Sequence, residues 1–328
     1  MRNRSSGWGA VACAAICSIV LAEAAPAQGW KPERNVELVI PTSPGGSNDI
    51  AGRLVHKLWT ELKLLPVQSS VVNRSGGEHV VAYTFVSQRT GDAHLVGIMS
   101  TPMLVNPLQG RTQLTHNDVT PIAYLFDEPM IAMVRADSPI KTGKDLVEAL
   151  RKDPQSLSIA LTSTGHRVSI GLPMHKGGVN IKGVRMPAFK GGGETTTAVL
   201  GGHADVQITS VSTSVPHVTS GQMRGIAVSS TRRLGGVMAT VPTWQELGYQ
   251  SSGSWKGVMG PKGITPAQIA FWEDVMRKTA QSEEIRQYAE QNQWILDFKG
   301  ASETRKWLDD EAAALKVIMT ELGLVQAR

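Results

Sequence analysis

The strongest constraint on this chain is a regular alternation of short apolar runs with helical periods, joined by turns that carry glycine. "VELVI" (36–40) reads as a strand, and Ile50, Leu54, Leu58 and Leu62 recur after it at helical spacing. "VQSSVV" (67–72), a helix around 78–88 and "HLVGIM" (94–99) continue the series. Strand, helix, strand, helix is the grammar of a mostly parallel sheet with helices on both faces, so the fold class is α/β. The second half repeats the alternation without repeating the sequence. Thr142, Asp145 and Pro154 delimit a helix by its cap and its stop. "LSIAL" (157–161), "GVRMPAF" (183–189), "ADVQI" (204–208) and "GIAVS" (225–229) read as strands, and the last 60 or so residues as almost entirely helical.

A chain of 328 residues, 41% of them hydrophobic, can bury one large core or two ordinary ones, and domain-size statistics favour two. No Gly/Ser linker separates two such units. Two apolar extended stretches, "MIAMVRA" (130–136) and "SWKGVMGP" (254–261), are the expected crossings between lobes. They imply a discontinuous first lobe, 28–131 plus 257–328, and an inserted second lobe, 132–256.

Residues 1–27 read as a signal peptide. Arg2 and Arg4 precede the short apolar core "WGAVACAAICSIVLA", and "APA" at 25–27 has the small-residue pattern of a cleavage site, placing the mature start near Gln28. The expected product is exported to the periplasm. Cys13 and Cys17, the only cysteines, fall inside the leader, so the mature chain is expected to have no disulfide, thiolate nucleophile or cysteine metal site. Loss of Arg2, Arg4 and Glu23 takes the net charge from +5 to +4. That excess is spread along the chain, with no arginine-rich arm and no basic run interleaved with aromatics, which argues against a nucleic-acid partner.

Three strand-to-helix turns carry the candidate chemistry. In "PTSPGGSND" the glycines allow close backbone approach, and the helix that follows offers unpaired N–H groups at the positive end of its dipole. The same segment reads equally well as a tight turn capped by Ser47, with Asp49 supporting the helix start and pairing with Arg53. "LTSTGHRVS" (161–169) has the same shape, with Thr162, Ser163 and Thr164 as hydroxyl donors, Gly165 as the point of close approach and His166 inside the turn. "AFKGGGETTTAVLGG" places Gly191, Gly192 and Gly193 before a third helix, with neither G-x-G-x-x-G nor a Walker lysine. Converging turns of this kind would line a cleft outside the carboxyl ends of the strands. No G-x-S-x-G elbow, H-E-x-x-H or metal-ligand spacing of the eight histidines occurs, so neither a cofactor nor a metal nor an enzymatic activity is expected.

The ordered series "PTSPGGSNDIAGRL", "VVNRSGG", "ADSPIKTGKDLVEAL", "KGGGETTTAVLGGHADV", "SGQMRGIAVSSTRR", "VPTWQELGY" and "GVMGPKGITPAQI" resembles the Bug family, the TctC-like extracytoplasmic solute receptors of tripartite tricarboxylate transporters. The resemblance spans nearly all of the mature chain. It implies a two-lobed periplasmic-binding-protein-like fold of type II, with a ligand cleft between the lobes and a small carboxylate (an organic, amino or aromatic acid) held there by backbone amides and ordered waters. Carried over by residue, the first loop is Ser43, Pro44, Gly45, Gly46, Ser47 and Asp49, and the second is Ser163, Thr164 and Gly165. Lys190, Gly191 and Gly192 match the family's K-G-G turn. Asn73, Gly76 and Gly77 match part of its N-R-P-G-A-G-G stretch, and Ser100 and Thr101 fall where it has small polar residues after the third strand. Two departures stand out: "NRSGGEHVVA" replaces the longer glycine run, and Arg167 stands where a small residue is usual, where it could reach an anion or simply point to solvent.

The implied partners are the carboxylate and the membrane subunits of such a transporter, with the receptor itself a monomer. Two alternatives stay open from sequence: a sensory receptor presenting its ligand to a membrane kinase, and an exported hydrolase built on Ser163 and His166, which lacks an orienting acid nearby in sequence.

Overall fold

The computed structural model describes residue 1, residues 29–189 and residues 191–326. The expected leader, Met1 apart, and Lys190 therefore lie outside the described residues. The elements in chain order are β1 (Val36–Ile40), α1 (Ser47–Glu61), β2 (Ser69–Asn73), α2 (Val80–Ser87), β3 (Leu95–Met99), α3 (Pro102–Leu108), β4 (Val119–Glu128) and β5 (Met130–Arg135). Then come α4 (Gly143–Lys152), β6 (Ile159–Ala160), α5 (Thr164–Lys176), α6 (Gly192–Leu200), β7 (Val206–Ser210), α7 (Val211–Thr219) and β8 (Met223–Val228). The chain ends with β9 (Ser254–Pro261), α8 (Pro266–Gln281), α9 (Glu283–Asn292), β10 (Ile295–Lys299) and α10 (Ala301–Glu321).

Two sheets form, a six-stranded one in the order β10-β4-β9-β3-β1-β2 and a four-stranded one in the order β6-β7-β5-β8. The expected parallel pairing holds where strand and helix alternate strictly, between β1 and β2 and between β1 and β3. Elsewhere the sheets are mixed. β9 runs antiparallel to β3 and β4, and β5 runs antiparallel to β7 and β8. The strands next to the crossings enter their sheets directly from the other sheet, with no covering helix to reverse them.

The two apolar stretches expected to cross between lobes do not cross. "MIAMVRA" is β5, wholly in the second sheet, and "SWKGVMGP" is β9, wholly in the first. The chain passes from one sheet to the other at Pro129, between β4 and β5, and returns between β8 and β9. By sheet membership we place the lobe boundaries at these points. "GVRMPAF" is another difference: it joins β6 only through isolated bridges at Arg185 and Ala188, since Pro187 has no N–H to extend the ladder. The helical reading of the C-terminal part missed β10, an edge strand antiparallel to β4.

Each sheet buries its own apolar clusters. In the first, Trp59 of α1 and Trp272 of α8 pack with Leu38, Ile40 and Phe126. In the second, Leu146, Ile159, Ile208 and Trp244 pack together, and Leu322, just past α10, joins them. Gly52 sets the depth of α1. A Cβ there would stand 2.6 Å from Ile40 Cδ1 and 3.2 Å from Ile98 Cγ1, so only glycine lets the helix lie this close to β1 and β3. That contact fixes where the helix start points.

Candidate functional site

A cavity of about 920 Å³ lies between the two sheets, lined from one side by residues 41–48, 50, 75–79 and 100–102 and from the other by residues 162, 163, 165, 166, 189, 191–193, 209, 210, 212 and 213. Ser43, Pro44, Gly45, Gly46 and Ser47 share its wall with Thr162, Ser163, Gly165 and His166, so the two loops expected to face each other do so. Gly76, Gly77, Ser100, Thr101, Gly191 and Gly192 line it as well. The starts of α1, α5, α6 and α7 therefore open on one space.

Three residues named from sequence stand behind the wall. Asp49 is 3% exposed and accepts from the Gly45 N–H (2.9 Å), Arg53 Nε (2.9 Å) and Asn73 Nδ2 (2.8 Å). Burial pushes its carboxyl up, and these donors outweigh burial and hold it below the ordinary range. Asn73 also donates to the Thr42 carbonyl, which pins the first loop to β2. Thr164 is 2% exposed and donates through its hydroxyl to Gln109 (2.6 Å). The roles of Asp49, Asn73 and Thr164 in this geometry are to shape and hold the loops. Arg167 turns away from the cavity lining and donates to the Met186 carbonyl (3.1 Å).

The two helix starts differ in what they leave open. Gly46, not Ser47, is the N-cap of α1, and with no side chain it satisfies no donor. Among the described residues the N–H groups of Ser47 and Asn48 have no protein acceptor. The Asn48 side chain is buried on the cavity wall, and its amide oxygen has no partner either. At α5, Ser163 is the cap and its hydroxyl accepts from the His166 N–H (3.3 Å), while the Thr164 N–H donates to Glu78 Oε2 across the cleft (2.9 Å).

Sequence reasoning missed the charged centre of the cleft. Glu128, fully buried at the end of β4, pairs with Lys256 of β9. It accepts from Ser47 Oγ through Oε2 and from Ser212 Oγ through Oε1, each at 2.7 Å. One carboxylate beside Pro129 thus ties the start of α1 to the start of α7 and so one lobe to the other. Burial raises its proton affinity, but the Lys256 charge and these hydrogen bonds prevail and leave its carboxyl below the ordinary range. The signal was present in sequence as the adjacent acids Asp127 and Glu128 in "YLFDEPMIAM" and a lone lysine in "SWKGVMG", charges inside otherwise apolar runs.

His166 and His79 both line the cavity, and burial lowers them to about 4 and about 3, so both rings are neutral at pH 7. Ser163 Oγ is engaged by the backbone of His166, while the ring Nδ1 faces the Thr162 N–H and hydroxyl at 3.4 and 3.3 Å. That is the geometry of a helix cap. The Ser–His pair of a hydrolase needs the hydroxyl on the ring instead.

The family model described as "tripartite tricarboxylate transporter family receptor" matches residues 61–324. The chain belongs to this family. Among curated relatives of this receptor, the protein BugT of Bordetella pertussis is 24% identical over 302 residues, covering 89% of this chain and 90% of BugT. An adipate-bound protein of Rhodopseudomonas palustris superposes with a TM-score of 0.80 at 20% identity, covering 90% of this chain and 99% of that one. The malate-bound protein MatC of Rhodopseudomonas palustris gives 0.74 at 19% identity, covering 88% and 99%. The receptor thus has the two-lobed fold of these solute-binding proteins.

Proposed function

We propose that this protein is a periplasmic receptor that captures a small carboxylate between its lobes and delivers it to the membrane subunits of a tripartite tricarboxylate-type transporter. One observation carries the reading. Helix starts from both lobes meet at one cavity whose wall is mostly glycine, serine and threonine, with open N–H groups at Ser47 and Asn48. Oriented peptide dipoles at a helix start stabilise an anion without a side-chain cation. Among the described residues Lys256 is the one lysine of the lining, and it is already paired with Glu128. The neighbours with adipate and malate support the chemical class, and the basic, short apolar leader supports export. Closure at the Pro129 crossing would bring the α5 side onto a ligand held by α1, replacing water at its donors.

Isothermal calorimetry of the folded protein against a panel of mono-, di- and tricarboxylates and amino acids tests this. Saturable binding by at least one class is expected. A panel with no saturable binder overturns the reading.

A further inference from the structure

Glu78 is an acidic side chain that lines the cavity and already sits where a ligand anion would. Its Oε2 accepts from the Thr164 N–H, the first of α5, at 2.9 Å, and its Oε1 lies 3.2 Å from Arg111 Nη2. Its backbone carbonyl accepts from Asn106 Nδ2 at 2.8 Å. The backbone there is forced: Gly76, Gly77, Glu78 and His79 have φ of 134°, 55°, 49° and 80°, four consecutive residues in the left-handed half of conformational space. Two of them, Glu78 and His79, carry side chains, and L residues with side chains rarely adopt this conformation. Strain of this kind persists only where surrounding contacts over-determine it, and here the contacts hold the Glu78 carboxylate on α5.

The two ends of the cavity are therefore unequal. At α5 the first N–H is taken by Glu78 and the third by the Ser163 hydroxyl. At α1 the first two N–H groups are open, and the buried Asn48 amide oxygen beside them lacks a partner.

We propose that Glu78 is the specificity-determining residue of the cleft: it occupies the α5 end, so the receptor takes acids with a single carboxylate, bound at α1, whose distal group is uncharged or cationic. The inference rests on the carboxylate reading above and sharpens it. A second ligand carboxylate at the α5 end would have to displace Glu78 and leave two like charges side by side in a partly desolvated cleft, which is strongly disfavoured.

The test is calorimetry on the full mature chain with acids of matched length, hexanoate, 6-aminohexanoate and adipate, and with shorter and longer homologues of each. In the unaltered protein the monocarboxylates and amino acids bind more tightly than the dicarboxylate of the same length. In Glu78→Gln the affinity ratio of dicarboxylate to monocarboxylate rises by roughly 10-fold or more, the size expected for removing a close like charge. Glu78→Gly, which also relieves the backbone, shows the same rise and guards against a local effect of the glutamine. Saturable binding with the dicarboxylate at least as tight as its partner, or a ratio unmoved in both variants, overturns the assignment of Glu78. Absence of binding by every member of all three series, in unaltered and variant protein alike, overturns the receptor reading and this inference with it.

Discussion

Glu128, held by Lys256 on the neighbouring strand, reaches across to Ser212 of the other lobe, and removal of this pair one partner at a time is the sharpest probe of the architecture. Replacing Lys256 by Met fills the volume but leaves a carboxylate with no exposed surface, held only by the hydroxyls of Ser47 and Ser212. Replacing Glu128 by Gln leaves a lysine whose side chain is 2% exposed with no counter-charge. Breaking a buried pair in this way costs about 3–5 kcal/mol, a large part of the roughly 5–15 kcal/mol that separates folded from unfolded chains. The double variant Glu128→Gln, Lys256→Met removes both charges together and should recover most of that loss, since a neutral replacement of a buried pair is often nearly free. The measurement is the urea unfolding midpoint and slope for all four proteins at neutral pH, read by circular dichroism. A coupling of about 2 kcal/mol or more between the two substitutions is expected. Single variants that each lose less than about 1 kcal/mol, or a double variant as unstable as the sum of its parts, would refute the claim that this pair is a desolvated unit at the crossing.

Two further outcomes follow from burial. His79 and His166 titrate near 3 and 4 in the folded protein against 6.5 in the unfolded chain, so the unfolded chain holds more protons between those values. Stability is then full above about pH 6.5 and falls as pH drops, with a slope approaching about 1.4 kcal/mol per pH unit for each histidine; urea unfolding from neutral pH to pH ~5 should show this slope reduced by one histidine's share in His166→Asn, and an unchanged slope would contradict it. Gly52→Ala forces a methyl to within 2.6 Å of Ile40 Cδ1 and should lower stability by about 1–3 kcal/mol, while also weakening ligand binding by shifting the start of α1; a thermal midpoint unchanged from the parent would argue against that close contact.

The parts of this molecule legible in sequence were those written in local pattern. The period of Ile50, Leu54 and Leu58 and the glycines before Ser47 were enough to place β1, its turn and α1, because a helix start and a tight turn are decided by a few adjacent residues. Thr142 and Asp145 form the expected reciprocal cap. What escaped was set by contacts distant along the chain. Glu128 meets Lys256 across 128 residues, and neither neighbourhood announces the other. The antiparallel insertion of β9 and β5 depends on where the chain crosses between sheets, which apolar runs alone do not fix. β10 is short, half-buried and flanked by strong helices, so its weak alternation was overridden. In the candidate site the loops read correctly as converging, whereas Asp49, Asn73 and Thr164 sit one layer deeper than their motif positions implied. The Asp49 and Asn73 side chains satisfy backbone groups of the first loop and the Thr164 hydroxyl bonds the Gln109 side chain, tasks that spacing does not distinguish from touching a ligand.

The central claim is that peptide N–H groups at the start of α1 recognise the anion. A crystal structure of the complex with the tightest acid found by calorimetry tests it most directly. A carboxylate oxygen within hydrogen-bond distance of the Ser47 or Asn48 nitrogen is expected, with Glu78 still on α5. A carboxylate bound by a side-chain cation elsewhere, with these two N–H groups facing only water, would contradict it.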